Sequence, residues 1–330
     1  MNNQPEKSIT VIGGGTGTAV VLSGLKKRCN HQLNAVVVVS DSGGSTGRLR
    51  DEFGFHAVGD LRQCLASLSD GKYQEEIKKI LLYRFQKGNG LAGHNLGNLI
   101  LTALEDIYHS PGKSIQLAAD IFKIKGKVYP VTEKNIQLLI EYQDGSKLIG
   151  EDYLDNYHLG GKKIKQIKLS PPATIYRPAA QAIEKADLVV LGPGDLYASL
   201  LPNTITKGFR AALKRNKGKF VYVMNLMTHY TQTFNMTAQD HLHEIFKYSG
   251  RHPDVVILNS GTIPENVAQF YRKHNEFPVF NDLSPNKKIQ VVNKDLLSTT
   301  FVKQHNSDKV PRSYLRHDEQ KLAEVILELI

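Results

Sequence analysis

The stretch ITVIGGGTGT, Ile9 to Thr18, decides the fold, because an apolar run leads directly into glycines. Apolar residues at helical spacing follow it, from Ala19 to Leu25. An apolar run, a glycine loop and a helix in this order are typical of a parallel strand followed by a helix whose N-terminus binds phosphate. Glycine suits such a loop because a Cβ would hold an anion away from the backbone N–H groups.

Two further junctions of a strand with glycines follow this one. The buried strand predicted over Ala35 to Val39 leads into SDSGGSTGRLR, Ser40 to Arg50, and the strand predicted over Leu188 to Leu191 leads into GPGDLYASLLPNT. The carboxyl ends of neighbouring parallel strands lie at one edge of a sheet. The three junctions therefore predict one crevice at that edge.

Strand and helix patterns alternate along most of the chain, which predicts an α/β fold with a mostly parallel sheet and helices on both faces. Between residues 113 and 170 the apolar period changes towards two, and Asp144-Gly145 is a hairpin signal. That segment is expected to be a β-rich insertion or a sheet extension within a single domain of residues 1–330. Other helices are predicted over Gly59–Leu68, Tyr73–Phe85, Pro178–Lys185, Thr204–Lys214, Ala238–Tyr248, Pro264–His274 and Glu319–Ile330, with a glycine loop and a long helix over Gly88–Ser110.

The net charge of +10 comes from 42 basic and 32 acidic residues in a chain of 330. Basic proteins attract phosphorylated small molecules, and they attract nucleic acid when the charge gathers into one stripe. Here the basic residues form short scattered clusters such as Lys162 to Lys168, which are typical of solvated faces. Nucleic acid is therefore not an expected partner.

The compartment is predicted from cysteine use and apolar runs. Cys29 and Cys64 fit no metal or C-x-x-C pattern, which indicates a reducing compartment. The first residues, MNNQPEKS, lack the apolar region of a signal peptide, and no run of apolar residues is long enough to span a membrane. The expected location is the cytoplasm.

Three side chains are weak candidates for catalytic roles. Asp41 ends the second strand, where it could bind a ribose hydroxyl or a divalent ion, or cap its loop as an Asx turn. Asp60 is either an acid near a helix N-terminus or a site residue. His94 is a general acid or base, a phosphate donor or a structural histidine. The sequence has no compact Ser/His/Asp or Cys/His grouping and no complete G-x-x-x-x-G-K-[ST] motif, so covalent hydrolysis and a Walker-type NTPase are not favoured.

Other polar residues are candidates for ligand contacts. Asn203 suits the edge of a base or a sugar hydroxyl, or a helix cap. Arg48 and Arg50 could neutralise phosphate or face solvent. A dehydrogenase is a distant alternative, because Thr18 stands where the dinucleotide fingerprint wants a small residue and ordinary NAD folds lack the second glycine loop.

The motifs also form an ordered set: GGGTGT, DSGGSTGRLR, GDLRQ, GHNLGNL, AD-x-VVLGPG-x-LY-x-S-x-x-PN and RHD at Arg316 to Asp318. This set resembles the 2-phospholactate transferase (CofD)-like superfamily over nearly the whole chain. The branch that it resembles most is the bacterial gluconeogenesis factor (YvcK-type, UPF0052) group. The resemblance implies a Rossmann-like three-layer fold with the ligand crevice at these loops.

Two functions are implied by this resemblance. Gluconeogenesis factors are needed for cell shape and wall integrity on gluconeogenic carbon sources, and bind UDP-sugars with no established reaction. The transferases move a 2-phospholactyl group from a guanosine diphospho-conjugate to a deazaflavin with the help of magnesium. The first is our leading expectation, with a UDP-sugar or another nucleotide diphosphate as the ligand and further copies of the chain as partners in a homo-oligomer.

The expected ligand-binding residues lie in the three glycine junctions, at the helix start near His94 and at isolated later positions. They are Gly13, Gly14, Gly15, Thr16, Gly17, Thr18, Asp41, Ser42, Gly43, Gly44, Ser45, His94, Asn95, Asn98, Gly192, Gly194, Asp195, Asn203, Asn225 and Arg316. Asp41 is the candidate metal ligand. Ser42 stands where many relatives carry a second acid, and Asp195 where they carry a small hydroxyl residue. Both differences weaken the case for a magnesium-dependent transferase and leave ligand binding intact.

Overall fold

The computed structural model describes residues 6–151, 154, 157–284, 288–299 and 314–330. Ten strands are defined in these ranges, and they are β1 (Ser8–Gly13), β2 (Gln32–Val37), β3 (Lys127–Pro130), β4 (Gln137–Tyr142), β5 (Lys147–Ile149), β6 (Ile164–Ser170), β7 (Leu188–Leu191), β8 (Lys219–Val223), β9 (Val255–Asn259) and β10 (Gln290–Lys294). The α-helices are α1 (Gly15–Arg28), α2 (Gly44–Phe53), α3 (Gly59–Leu68), α4 (Gln74–Leu82), α5 (Leu96–Tyr108), α6 (Pro111–Ile121), α7 (Arg177–Lys185), α8 (Leu201–Thr204), α9 (Phe209–Arg215), α10 (Ala238–Ser249), α11 (Glu265–Arg272) and α12 (Glu319–Leu327).

Seven strands form a parallel sheet in the order β10-β9-β8-β7-β1-β2-β3. Its central strands are buried apolar runs such as LVVL in β7, as expected for a parallel sheet covered on both faces. Helices α1, α3 and α12 pack together, as do α7 and α9. The chain moves outward in one direction from β1 to β3 and in the other from β7 to β10, so the order reverses between β1 and β7. The predicted α/β Rossmann-like fold is confirmed, and ligands of such folds bind at this reversal.

The segment from residue 113 to 170 is only partly β-structure. Its first part, predicted as a strand, is helix α6, with Pro111 in the first turn and the Ser110 hydroxyl accepting from the Lys113 N–H. Ile115, Ala118 and Ala119 are buried at helical spacing, which explains why the period-two interpretation was wrong there. Strand β3 then extends the main sheet, and β4, β5 and β6 form a separate antiparallel sheet.

Two other predictions need correction, and one strand was not predicted. The second glycine junction is mostly helix, because α2 begins at Gly44. The helix predicted over Thr204 to Lys214 is interrupted by Gly208, whose φ of 99° separates α8 from α9. Strand β10 was not predicted, since its sequence QVVNK is short and half polar. Within the described ranges, no helix is both long enough and apolar enough to cross a membrane.

Candidate functional site

A crevice lies at the carboxyl ends of β1, β2, β7 and β8, where the strand order reverses. It encloses about 220 Å³. Many of the predicted ligand-binding and catalytic residues lie on its wall. They are Gly14, Gly15, Thr16, Gly17, Asp41, Gly43, Ser45, Asp60, Asn98, Gly194, Asp195, Asn225 and Arg316.

Helix α1 begins on the wall of this crevice. Gly14 is its N-cap, and Gly15 has a φ of 64°, a left-handed conformation that favours glycine. No side chain of the described residues caps α1, so its first N–H groups are available to a ligand. Thr18 points away, because it is fully buried and its hydroxyl donates to the Gly14 carbonyl at 3.1 Å. Gly13, which was also predicted, lies behind the wall beside Thr18.

Helix α2 also begins at the crevice without a side-chain cap among the described residues. The Gly43 N–H donates to Asp41 Oδ1 at 2.8 Å, so Asp41 forms the Asx turn considered above and still lies on the wall. Ser42 has a structural role, because its hydroxyl accepts a hydrogen bond from the Glu151 N–H at 2.8 Å. It ties the loop to the segment after β5, and neither it nor Gly44 lines the crevice.

Two carboxylates lie among these helix starts. A Cβ on Gly14 would lie 2.4 Å from Asp60 Oδ2, and a Cβ on Gly59 would lie 3.0 Å from Asp41 Oδ2. Gly59 and Asp60 begin α3, so the N-termini of three helices converge on the crevice. The first turns of α1 and α2 contain no acidic residue, and their dipoles favour an anion.

Asn98 forms a buried polar cluster beside the start of α2. Its Nδ2 donates to the hydroxyls of Ser45 at 3.3 Å and Thr46 at 3.4 Å, and Ser45 also accepts from the Asn95 N–H at 3.1 Å. Asn95 caps α5 by accepting from the Asn98 N–H and does not line the crevice. The Asn98 Oδ1 is buried and has no hydrogen-bond partner among the described residues. It is an acceptor that a ligand donor would satisfy.

His94 supports this cluster from behind the wall. Its Nδ1 lies 3.3 Å from the Ser45 hydroxyl, and the residue is buried. Burial, followed by the positive charge of Arg48, lowers the pKa of His94. The structure therefore does not bring His94 to the crevice as a general acid or base.

The third glycine junction meets the first from the other side. Gly192 lies behind the wall in a left-handed conformation, with a φ of 85°, and the Gly194 N–H donates to Asn225 Oδ1 at 3.1 Å. Asn203 is fully buried, and its Nδ2 donates to the carbonyls of Ser199 at 2.8 Å and Gly13 at 3.2 Å. Asn203 thus holds the two junctions together and does not face the crevice, unlike the predicted base or sugar contact.

The two arginines of α2 have different environments. Arg50 is buried and donates to the carbonyls of Ser40, Asp41 and Ile136 and to the side chain of Asn135, at 2.8 to 3.1 Å. It is a structural tie and not a phosphate ligand. Arg48 is exposed and donates to the Ala92 carbonyl.

Several residues on the wall were not predicted as ligand contacts. They are Thr46, Gly59, Arg62, Gln63 and Arg84 near α2 and α3, and Glu151, Thr228, His229, Tyr271, Glu276, Leu315 and His317 elsewhere. Arg62, Gln63 and His317 belong to the GDLRQ and RHD motifs, so the sequence contained a signal that could have identified these three residues. His229 and Glu276 lie outside every motif.

The carboxylates at the crevice could hold a magnesium ion only if the phosphates of a bound ligand completed its coordination. Among the described residues, no three His, Cys, Asp or Glu side chains are grouped so that they could hold a metal. Asp41 and Asp60 both line the crevice, and Mg²⁺ is commonly held by one or two carboxylates, waters and substrate phosphates. These two residues would hold the ion, which would neutralise phosphate charge.

Comparisons with known proteins agree with this architecture. The family model for 2-phospho-L-lactate transferase CofD matches residues 9–297. A protein of Halalkalibacterium halodurans named gluconeogenesis factor is 36% identical, over 98% of this chain and 96% of that protein. The gluconeogenesis factor of Bacillus subtilis is 32% identical, over 100% and 99% of the two chains. A crystal structure of a Bacillus halodurans protein has a TM-score of 0.87 and 34% identity, with 98% and 99% of the two chains covered.

A second crystal structure, of a UPF0052 family protein from the same organism, has a TM-score of 0.86 and 33% identity. It covers 98% of this chain and 100% of that one. The family match spans most of the chain, and the relatives align over nearly their full length. The chain therefore belongs to the CofD family, and its relatives within it are named gluconeogenesis factor.

Proposed function

We propose that the protein binds a nucleotide-sugar, with a UDP-sugar as the leading candidate, and that this binding links carbon supply to cell shape and wall integrity. The observation that carries the proposal is the pair of uncapped helix starts, α1 and α2, on the wall of one crevice. A diphosphate has two adjacent anionic groups, and one can accept from the N–H groups of each helix. The unpartnered Asn98 Oδ1 supplies an acceptor for a ligand donor.

Binding without reaction is favoured by what surrounds these helix starts. His94 and Asn203, the expected acid–base and base-contact residues, lie behind the wall. Thr16 and Asn98, which face the crevice near α1 and α2, are hydrogen-bonding groups. The Ser45 hydroxyl lies 3.3 Å from His94 Nδ1, and its oxygen already accepts from the Asn95 N–H and from Asn98 Nδ2, so it serves the buried polar cluster. A sensor or scaffold needs only such groups.

The experiment is calorimetric titration of the purified protein with UDP-N-acetylglucosamine, UDP-glucose, GDP and NAD, with and without magnesium. We expect a UDP-sugar to bind without magnesium. Thr16→Val, which removes a hydroxyl on the wall, should weaken binding about fivefold, since a hydrogen bond contributes about 1 kcal/mol. Thr174→Val, at an exposed threonine outside the crevice, is the matched control.

The cellular part of the proposal has its own test. A strain without the gene, grown on a gluconeogenic carbon source, should regain normal shape with the wild-type chain and not with a variant that has lost ligand binding. Equal rescue by the wild-type chain and by the variant would show that cell shape does not depend on ligand binding in the crevice.

A magnesium-dependent transferase of the 2-phospholactyl type is the second candidate. It is favoured by the Asp41 and Asp60 carboxylates beside the helix starts and by the family match. In that case the same N–H groups would stabilise charge on the phosphates. The test is whether the protein forms product from the guanosine conjugate and deazaflavin, and whether Asp41→Asn abolishes this activity. If both are observed, a transferase function would replace the pure binding function.

A further inference from the structure

An apolar patch forms part of the crevice wall in the region that follows β8. Its members belong to, or pack against, one small apolar cluster that is separate from the main core, and they are Leu226, Met227, Tyr271 and Leu315. The Tyr271 hydroxyl accepts from the Leu315 N–H at 2.8 Å, which fixes two of these residues to each other. Apolar and aromatic side chains on the wall of a ligand site suit the flat face of a ring.

The patch lies at a distance from the proposed diphosphate site that a nucleotide can span. Leu226 and Met227 follow β8, which is two strands away from β1 in the order β8-β7-β1. Neighbouring strands lie about 4.8 Å apart, so roughly 10 Å separates the ends of β1 and β8. The proposed diphosphate lies at the start of α1, directly after β1. A ribose would bridge this gap and bring the base to the patch.

His317 adds a hydrogen-bond acceptor next to this patch. It is 8% exposed, lies on the crevice wall and is bridged to Leu297, a member of the same apolar cluster. One ring nitrogen donates to the Met224 carbonyl, and burial lowers the pKa of His317 to about 4, so the ring is neutral at pH 7. The other nitrogen, Nε2, is buried without a hydrogen-bond partner among the described residues. A neutral imidazole that donates through Nδ1 is an acceptor at Nε2, so a ligand N–H can satisfy it.

A donor lies on the same part of the wall. Thr228 is buried, and its hydroxyl oxygen accepts from the Phe277 N–H at 3.0 Å. This bond leaves the hydroxyl hydrogen for another acceptor. His229, Glu276 and Arg316 also line the crevice, but each of them interacts with other groups of the protein. His317 and Thr228 therefore offer one acceptor and one donor beside an apolar surface.

We propose that this part of the crevice is a nucleobase subsite, in which the base packs on the apolar patch and donates its ring N–H to His317 Nε2. The subsite rests on the proposed function, because it assumes that a nucleotide binds with its diphosphate at the helix starts. Enzymes that bind a single base commonly hold its faces between apolar side chains and its edge by hydrogen bonds.

This arrangement selects uracil against cytosine. Uracil carries a ring N–H at N3 between two carbonyl oxygens, one of which can accept from Thr228. Cytosine has a lone pair at N3 in place of the hydrogen, so it would bring two acceptors together at His317. Guanine also carries a ring N–H, at N1, and titration with GDP distinguishes it from uracil.

The test compares UDP-glucose with CDP-glucose by calorimetric titration, because the two ligands differ only in the base. We expect the wild type to bind UDP-glucose at least about tenfold more tightly, since cytosine leaves a buried acceptor unpaired. His317→Leu, which removes that acceptor, should reduce the ratio to less than about threefold. His243→Leu, at an exposed position of α10, is the control and should keep the wild-type ratio.

A second measurement on the wild-type protein applies if His317→Leu fails to fold. N3-methyluridine diphosphate cannot donate at N3, whereas 5-methyluridine diphosphate carries the same methyl group on a ring carbon. We expect methylation at N3 to weaken binding at least about tenfold and methylation at C5 to change it by less than about threefold.

Three results would overturn the base subsite alone: equal binding of UDP-glucose and CDP-glucose, a ratio unchanged in His317→Leu, or equal effects of the two methyl groups. If the wild type bound neither UDP-glucose nor CDP-glucose, the proposed function would be overturned and the subsite with it.

Discussion

Gly17 and Pro193 lie in direct contact where the order of the parallel strands reverses: a Cβ on Gly17 would lie 2.2 Å from the Pro193 carbonyl oxygen. Gly17 belongs to the first turn of α1, and Pro193 follows β7. The contact therefore joins the two halves of the main sheet at the crevice. Because backbone atoms lie on both sides, neither can move aside as a flexible side chain would, and the approach requires glycine.

Gly17→Ala should consequently destabilise the protein and damage the crevice. We expect a loss of about 1–3 kcal/mol in the free energy of unfolding, measured with urea, because the added methyl group must displace backbone. Binding of the ligand should weaken in the same variant. Gly90→Ala is the control, because nothing lies within 4 Å of a Cβ at that glycine. If Gly17→Ala were as stable as the wild type, the glycine junctions after β1 and β7 could move apart without loss of stability.

Arg50→Ala should behave as a structural variant. Arg50 satisfies three carbonyl groups and the Asn135 side chain in a buried environment, so its removal leaves these acceptors unpaired. We expect a loss of about 2–4 kcal/mol in unfolding free energy. Arg48→Ala, at the exposed arginine of the same helix, should change stability by less than about 0.5 kcal/mol. Weakened ligand binding in Arg50→Ala with unchanged stability would instead assign Arg50 to the phosphates.

The parts of the fold that the sequence predicted well are those with a strong local pattern. The helix predicted over Gly59–Leu68 and the strand predicted over Leu188–Leu191 have these bounds in the structure. The crevice was predicted because an apolar run followed by glycines fixes both the direction of a strand and the start of a helix. Helix α6 was not predicted, because the spacing of its apolar residues fits both the period of a strand and the period of a helix.

The direction of side chains at the site was less predictable, because it depends on contacts distant in the sequence. Asn203 and His94 are polar residues beside glycine-rich motifs, which suggests contacts with a ligand. In the structure both are buried, and their side chains contact Gly13 and Ser45 instead. Glu276 was not predicted, since no motif surrounds it. The pairing of the segment after β8 with the segment after α11 brings it to the crevice.

The stability of the protein should fall in weak acid. Burial lowers the pKa of His241 and of His317 to about 4, from 6.5 for an exposed histidine. The unfolded chain therefore binds protons at both positions between about pH 6.5 and 4, while the folded chain does not. Folding stability is fully present above pH 6.5 and is lost as the pH falls through this window, by on the order of 3 kcal/mol per histidine.

Urea unfolding between pH 4.5 and 7.5 measures this effect. His241→Gln should lower the stability at pH 7 and flatten its dependence on pH, because one of the two titrating groups is gone. His243→Gln, at an exposed position of the same helix, should keep the wild-type slope. A slope in His241→Gln as steep as in the wild type would show that His241 is not kept neutral in the folded state.

Removing the charge of Asp60 should have opposite effects with and without magnesium. The Asp60 carboxylate lies against Gly14 at the start of α1, where the proposed diphosphate binds, so it repels the phosphates when no cation is present. Asp60→Asn should tighten magnesium-free binding of a UDP-sugar about fivefold, the effect of about 1 kcal/mol between unit charges at 4 Å in water. Any strengthening of binding by magnesium should disappear in the same variant.

The control is Asp51→Asn, because Asp51 is exposed on α2. Calorimetric titrations with chelator and with magnesium give the four affinities that the comparison needs. If Asp60→Asn weakens binding in the presence of chelator, the carboxylate accepts a hydrogen bond from the ligand and does not act through its charge. A ribose hydroxyl would then be the donor, and the nucleoside, instead of the diphosphate, would lie at the start of α1.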